Sequence, residues 1–321
     1  MAEPIEQWLK QLDAILEQHQ FESAEEAEAW LLEQSKNRGI DEFFEQCGTP
    51  LMRLRLLWQR AELAQDPEKA RSIYEEAIAH AETTLAKEIH DARIDEVVWQ
   101  ESPMYPYLCC LFGSAGCREM LGQLDEAETM YHRVLDADPM DSLGVKEKLF
   151  SLCLTDGRLY EARYWLDRLN DEHSTILCYH RALLRFLEAA DLAEQAYQET
   201  GDVDAARAWE DAEANHLLDL ALQHNPYVAA IMAHPRAFEL ECPQHAGMGS
   251  PAEAVQVMFA SAHLWLSDFL ALHWLIGRSH HFPLQDPLHG AEWDLLLEEL
   301  GGETTDEERM DYLRQLEEMA G

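Results

Sequence analysis

Glu213-Ala214-Asn215-His216 sets a carboxylate and an imidazole three residues apart. That spacing puts two metal ligands on one helix face, as in carboxylate-bridged di-iron bundles. Such a centre needs a second Glu-x-x-His pair and two further inward glutamates, and the chain has no second pair. Cys242-Pro243-Gln244-His245 offers half of a tetrahedral zinc site, with His280-His281 and His289 as the remaining donors. Glu76 with His80 and Glu128 with His132 stand one helical turn apart and read as ordinary surface pairs. The metalloprotease His-Glu-x-x-His, the Gly-x-Ser-x-Gly elbow, the dinucleotide glycine fingerprint and the phosphate-binding loop are all absent. The sequence therefore nominates no catalytic residue, no cofactor and no metal site. A metal-dependent hydrolase or oxygenase, built on a helical bundle from scattered His and Glu, stands as the alternative reading.

The elements that must carry these residues are helices. Ala, Leu, Glu and Gln dominate, alternating β-branched runs are scarce, and Gly and Pro are sparse, which together predict an all-α chain. The segment 121–139 places Gly122, Ala127, Tyr131, Val134 and Pro139 at the offsets of the second helix of a tetratricopeptide (TPR) repeat. Glycine permits the tight turn, alanine lets two helices approach, and proline closes the unit. Related patterns follow at Gly157, Ala162, Leu166 and Leu169, and at Gly201 and Ala206. An earlier copy has Ala70, Tyr74 and Ala77, with Gln65 where the glycine falls. The key alanines at 70, 127, 162 and 206 are 57, 35 and 44 residues apart. This predicts an irregular TPR-like helical-repeat solenoid with N- and C-terminal capping helices.

Four regions follow from breaks in the pattern: acidic N-terminal helices over 1–46, TPR-like repeats over 47–224, an Asn-Pro segment with a buried Trp-rich helix over 225–279, and acidic C-terminal capping helices over 280–321. The Trp-rich run Ala254 to Gly277 is long enough to span a bilayer. Asp268 near its middle costs about 2.5–3.5 kcal/mol on the insertion scale, and Lys/Arg flanks are nearly absent. A helix buried in protein is expected, with no membrane contact. The N-terminal stretch is acidic and lacks a basic leader. Seven cysteines without regular spacing read as free thiols, so a cytoplasmic location is expected.

Sixty-two acidic residues against 24 basic give a formal charge of −38. A surface of that sign repels phosphate backbones, so nucleic acid is not an expected partner. Two readings of the acidity stand: a solvated surface, or a face that captures a basic partner.

The order of several motifs resembles a bacterial TPR-like family related to the suppressor-of-tumorigenicity-7 family. The matching pieces are Trp99-Gln100-Glu101-Ser102-Pro103 through Tyr107, Asp138-Pro139-Met140-Asp141 with Gly144-Val145, and Asn225-Pro226-Tyr227-Val228. Glu253-Ala254, Trp265 and Ala271-Leu272-His273-Trp274-Leu275 complete the series, which covers about 50–277. The resemblance implies a helical interaction protein and carries no catalytic residues. In TPR geometry the first helix of each pair lines a groove, which here holds Cys109, Phe112, Gly116 and Glu119, then Gly144, Glu147, Ser151 and Leu154. The Lys and Asn of a carboxylate clamp are missing. Phe112, Glu119, Glu147 and Leu154 are the partner-binding candidates, facing a protein or peptide, either basic or an amphipathic helix. Filling of the groove by the chain's own helices is the competing arrangement.

Overall fold

A computed structural model describes residues 50–91, 102–169, 174–201, 210–284 and 288–302, with Thr305, Glu308, Asp311, Tyr312, Arg314 and Gln315 beyond them. The expected acidic helices over 1–46, the Trp99–Glu101 motif and Ala206 lie outside these residues. All regular structure among the described residues is helical, with thirteen α-helices, one short 3-10 turn and no strand. None of these helices is long and apolar enough to cross a membrane.

The chain divides into two compact units, Met1–Lys148 and Leu149–Gly321. The boundary falls within the stretch 47–224, expected as irregular TPR-like repeats. The first unit contains α1 (Pro50–Glu62), α2 (Pro67–Thr84), α3 (Ala86–Asp91), α4 (Met104–Met120) and α5 (Leu124–Ala137). Helix α6 (Val145–Thr155) crosses from the first unit into the second. The second unit continues with α7 (Leu159–Leu166), α8 (Thr175–Thr200), α9 (Ala212–His224), α10 (Tyr227–Met232), α11 (Pro251–Leu266), α12 (Phe269–Ser279) and α13 (Gly290–Leu300).

In the first unit, α1 packs on α2, α2 on α4, and α4 on α5. Helix α2 begins where the sequence supplies a stop and a start together: the Asp66 carboxylate accepts from Glu68 N at 3.1 Å, and Pro67 occupies a position whose N–H no helix uses. Small residues set the close crossings, since Ala70, Ala77 and Ala127 are buried, with Tyr74 and Tyr131 filling the space beside them. Arg118 reaches across from α4 to Glu75 at 2.7 Å, and Arg71 donates to Gln123 at 2.8 Å.

The second unit is organised around α8, whose 26 residues end at Gly201 in the left-handed conformation. Helices α7, α9, α11 and α12 all pack on it. Aromatic rings fill the centre: Phe186 stacks on Trp274 at 4.6 Å, and Trp265 lies 6.4 Å from Trp274 and 6.3 Å from Tyr179. The Trp-rich segment, expected as one helix, is two. The chain turns at Ser267-Asp268, and Asp268 Oδ1 accepts from Ala271 N at 2.9 Å, making this aspartate the N-cap of α12. A charge that looked out of place in an apolar run is thus a half-buried helix start.

Asn225 holds this unit together at the turn before α10. It is fully buried. Its Nδ2 donates to Ser250 O at 2.9 Å and to Glu253 Oε2 at 3.0 Å, and its Oδ1 accepts from Tyr227 N at 3.1 Å. Its backbone carbonyl accepts from the Tyr179 hydroxyl at 2.7 Å. Glu253 also accepts from Gly249 N at 2.7 Å, while Ser250 caps α11 through Glu253 N at 3.1 Å. The Asn-Pro turn, α8 and the start of α11 therefore share one buried polar network.

Candidate functional site

Two grooves, one in each unit, combine apolar floors with carboxylates that among the described residues have no cationic partner.

The first lies among α1, α2, α4 and α5 and measures about 540 Å³. Its walls carry a repeated clasp. Tyr74 of α2 donates its hydroxyl to Glu62 of α1 at 2.5 Å, and Tyr131 of α5 donates to Glu119 of α4 at 2.9 Å. Burial, then the adjacent glutamate, pushes both phenols well above their ordinary range, so they remain donors. Glu62 and Glu119 are 57 residues apart, as are Tyr74 and Tyr131, and as are Ala70 and Ala127. The same register carried to the next hairpin, where Ala162 matches Ala127, gives Leu154 and Leu166 in place of glutamate and tyrosine, both in the buried core.

Two glycines of α4 shape this groove for different reasons. A Cβ on Gly113 would lie 2.3 Å from Tyr74 Cζ, so only glycine lets that ring rest against the helix. Tyr74 cannot swing aside cheaply, because it is buried and tied to Glu62. Gly113→Ala is expected to lose about 1–3 kcal/mol through overpacking, read as a lower urea midpoint. A midpoint at or above that of the parent chain would mean the ring moves freely. Gly116 is the opposite case: a Cβ there would meet nothing within 4 Å. A glycine inside a helix costs about 1 kcal/mol relative to alanine, and no packing within the described residues requires this one.

The second groove runs between α7, α8 and the Ser267-Asp268 turn and measures about 590 Å³. Leu154, Leu159, Leu187, Ala190 and Ala193 supply apolar surface, with Tyr197 and Leu270 at exposed positions. Asp191, Glu194 and Asp268 are its charged lining residues. Asp191 accepts from Gln195 at 2.9 Å and Glu194 from Gln198 at 3.1 Å. Among the described residues none of the three has a Lys or Arg partner.

The partner-binding candidates separate between these places. Phe112 and Glu119 line the first groove together, with Gly116, and the Phe112 ring meets Tyr131 edge-on at 5.7 Å. Glu147 does not line it; Lys148 does. Glu147 is half-buried, and burial raises its pKa, with Lys148 opposing. Leu154 lines the second groove. The sequence reading missed Glu62, Tyr74, Asp191, Glu194 and Asp268. The 57-residue register, already visible in the alanines, pointed to Glu62 as the counterpart of Glu119.

Several of the residues suggestive of metal chemistry are otherwise engaged. Glu213 pairs with Arg185 at 3.1 Å, Glu76 with Arg53 at 3.2 Å rather than with His80, and His80 Nε2 contacts Pro50 O at 2.9 Å. Cys242 is exposed, and among the described residues its sulfur forms no three-donor group with His245, His280, His281 or His289. No protein-family model, no curated protein and no solved structure matches the chain.

Proposed function

We propose that this protein is a non-enzymatic TPR-like scaffold or adaptor, akin to the suppressor-of-tumorigenicity-7-related family, that docks a basic amphipathic helix of a protein partner. The observation that carries the reading is the groove of the second unit, an apolar floor edged by Asp191, Glu194 and Asp268, which among the described residues have no cationic partner. An amphipathic helix meets such a surface with apolar side chains one turn apart in the floor and Lys or Arg against the rim. Three hairpins opening their second helix after Asp66, Gln123 and Arg158 support the repeat interpretation, as do the left-handed glycines Gly122 and Gly157. No disulfide joins the described cysteines, in keeping with a reducing cytoplasm.

A synthetic helix of alternating leucine and lysine faces, followed by fluorescence anisotropy, tests the reading. Saturable binding that falls steeply with added salt is expected. Asp191→Lys with Glu194→Lys should weaken it about ten-fold or more. Reversing the exposed pair Asp125 and Glu126, which lies in the first unit, serves as the control for general charge. Equal losses in both double variants would reduce the effect to net charge and sink the docking site.

A further inference from the structure

The groove of the first unit has a chemistry of its own. Glu62 Oε1 already accepts from both Tyr74 and Trp58, the latter at 3.2 Å, and Glu119 Oε2 accepts from Tyr131. Each carboxylate therefore presents one remaining oxygen, Oε2 of Glu62 and Oε1 of Glu119, and among the described residues neither glutamate has a Lys or Arg partner. The cavity between them is walled by Phe112, Tyr74 and Tyr131 and floored in part by Gly116, whose missing side chain leaves space that nothing else in the described chain fills.

We propose that this groove binds an alkylammonium group, independently of the helix-docking groove in the second unit. Tyr74 and Tyr131 are buried, so the accessible ring is that of Phe112, and a ring face favours a cation over an apolar ligand of the same size because it carries negative potential. The hydrogen bonding selects among cations. A guanidinium fork needs two parallel acceptors on one carboxylate, and each carboxylate here has one oxygen committed to a phenol. An ammonium has three independently directed donors and suits single oxygens on separate groups. The alkyl stem lies over Gly116, where any side chain would stand in its way. Lys148 lines the same groove, so the site carries two carboxylates and one ammonium. A monovalent cation neutralises that balance. The group can come from a lysine side chain of a peptide or from a free primary amine.

Isothermal titration of the full chain distinguishes these cases, using butylammonium chloride, an acetylated and amidated Ala-Lys-Ala peptide, and its Ala-Arg-Ala counterpart. At least one ammonium probe is expected to bind at a single site, about five-fold or more tighter than the arginine peptide. Tighter binding of the lysine peptide than of butylammonium assigns a protein source, and the reverse assigns a free amine. Glu62→Gln with Glu119→Gln keeps an acceptor for each phenol and should lower affinity about ten-fold or more without changing the thermal midpoint appreciably. Gly116→Leu should block binding while the chain stays folded. Lys148→Gln should tighten binding several-fold by removing a like charge. Unchanged affinity in the double glutamine variant, equal affinity for the arginine peptide, or weaker binding in the Lys148 variant would each overturn the assignment.

Discussion

Asn225→Ala is expected to remove about 3–5 kcal/mol of stability, enough to leave the second unit largely unfolded at moderate urea. The substitution does more than delete contacts. It leaves Ser250 O and Tyr227 N buried without the Asn225 side chain that now satisfies them, and it deprives Glu253 of one of its donors. Each stranded group contributes a desolvation penalty of about 1–3 kcal/mol. Asn225→Asp sharpens the test, since it preserves the shape and the acceptor for Tyr227 N but sets a second carboxylate against Glu253. That variant should regain stability on mild acidification, when one proton can bridge the pair. The midpoint of urea unfolding measures both effects. A loss below about 1 kcal/mol for the alanine variant would mean that water replaces the network.

Acidification acts on the second unit through a different residue. His180 of α8 is fully buried, tilts over Phe150 at 4.8 Å, and among the described residues has no hydrogen-bond partner on either ring nitrogen. Burial, with a smaller effect from His263, lowers its pKa from 6.5 to about 3. The unfolded chain takes up a proton at this position below its ordinary pKa, whereas the folded chain remains neutral until near 3. Stability associated with neutral His180 is therefore complete above pH 6.5 and is lost as pH falls through the window down to about 3. At about 1.4 kcal/mol per pH unit, the full drop is on the order of 4–5 kcal/mol. His180→Leu should flatten the stability profile between about pH 6 and 4 by the equivalent of one proton. It should also raise stability at neutral pH, because the leucine strands no buried nitrogen. Parallel profiles for the two chains would show that the imidazole is protonated in the folded state.

The helical class was legible because apolar spacing is local: each helix writes its own periodicity into ten or twenty residues. The turns at Gly122 and Gly157 were legible for the same reason, each glycine standing just before the second helix of its hairpin. Asp268 shows where that reading failed. Weighed as a charge within an apolar run, it argued against a membrane span; weighed as a cap with apolar residues after it, it would have marked the helix break. The groove residues were half visible. Glu119 and Phe112 followed from helix geometry, but Glu62 required carrying the 57-residue register onto a copy whose glycine had become Gln65. Asn225 and Glu253 were noticed as motif letters. Their hydrogen bond joins positions 28 residues apart, and no periodicity encodes a contact of that kind.

The length of α8 sets how the second unit comes apart. At 26 residues it is about 39 Å of continuous rod, and α7, α9, α11 and α12 rest on it. Where helices touch only their neighbours, a chain can fray from one end and leave the remainder intact. Here the helices that precede the rod and those that follow it lean on the same support, so peeling any one away exposes apolar surface belonging to the others. Amide hydrogens in α8 and at the Asn225 turn should consequently exchange together, through one opening whose free energy equals that of melting the whole unit.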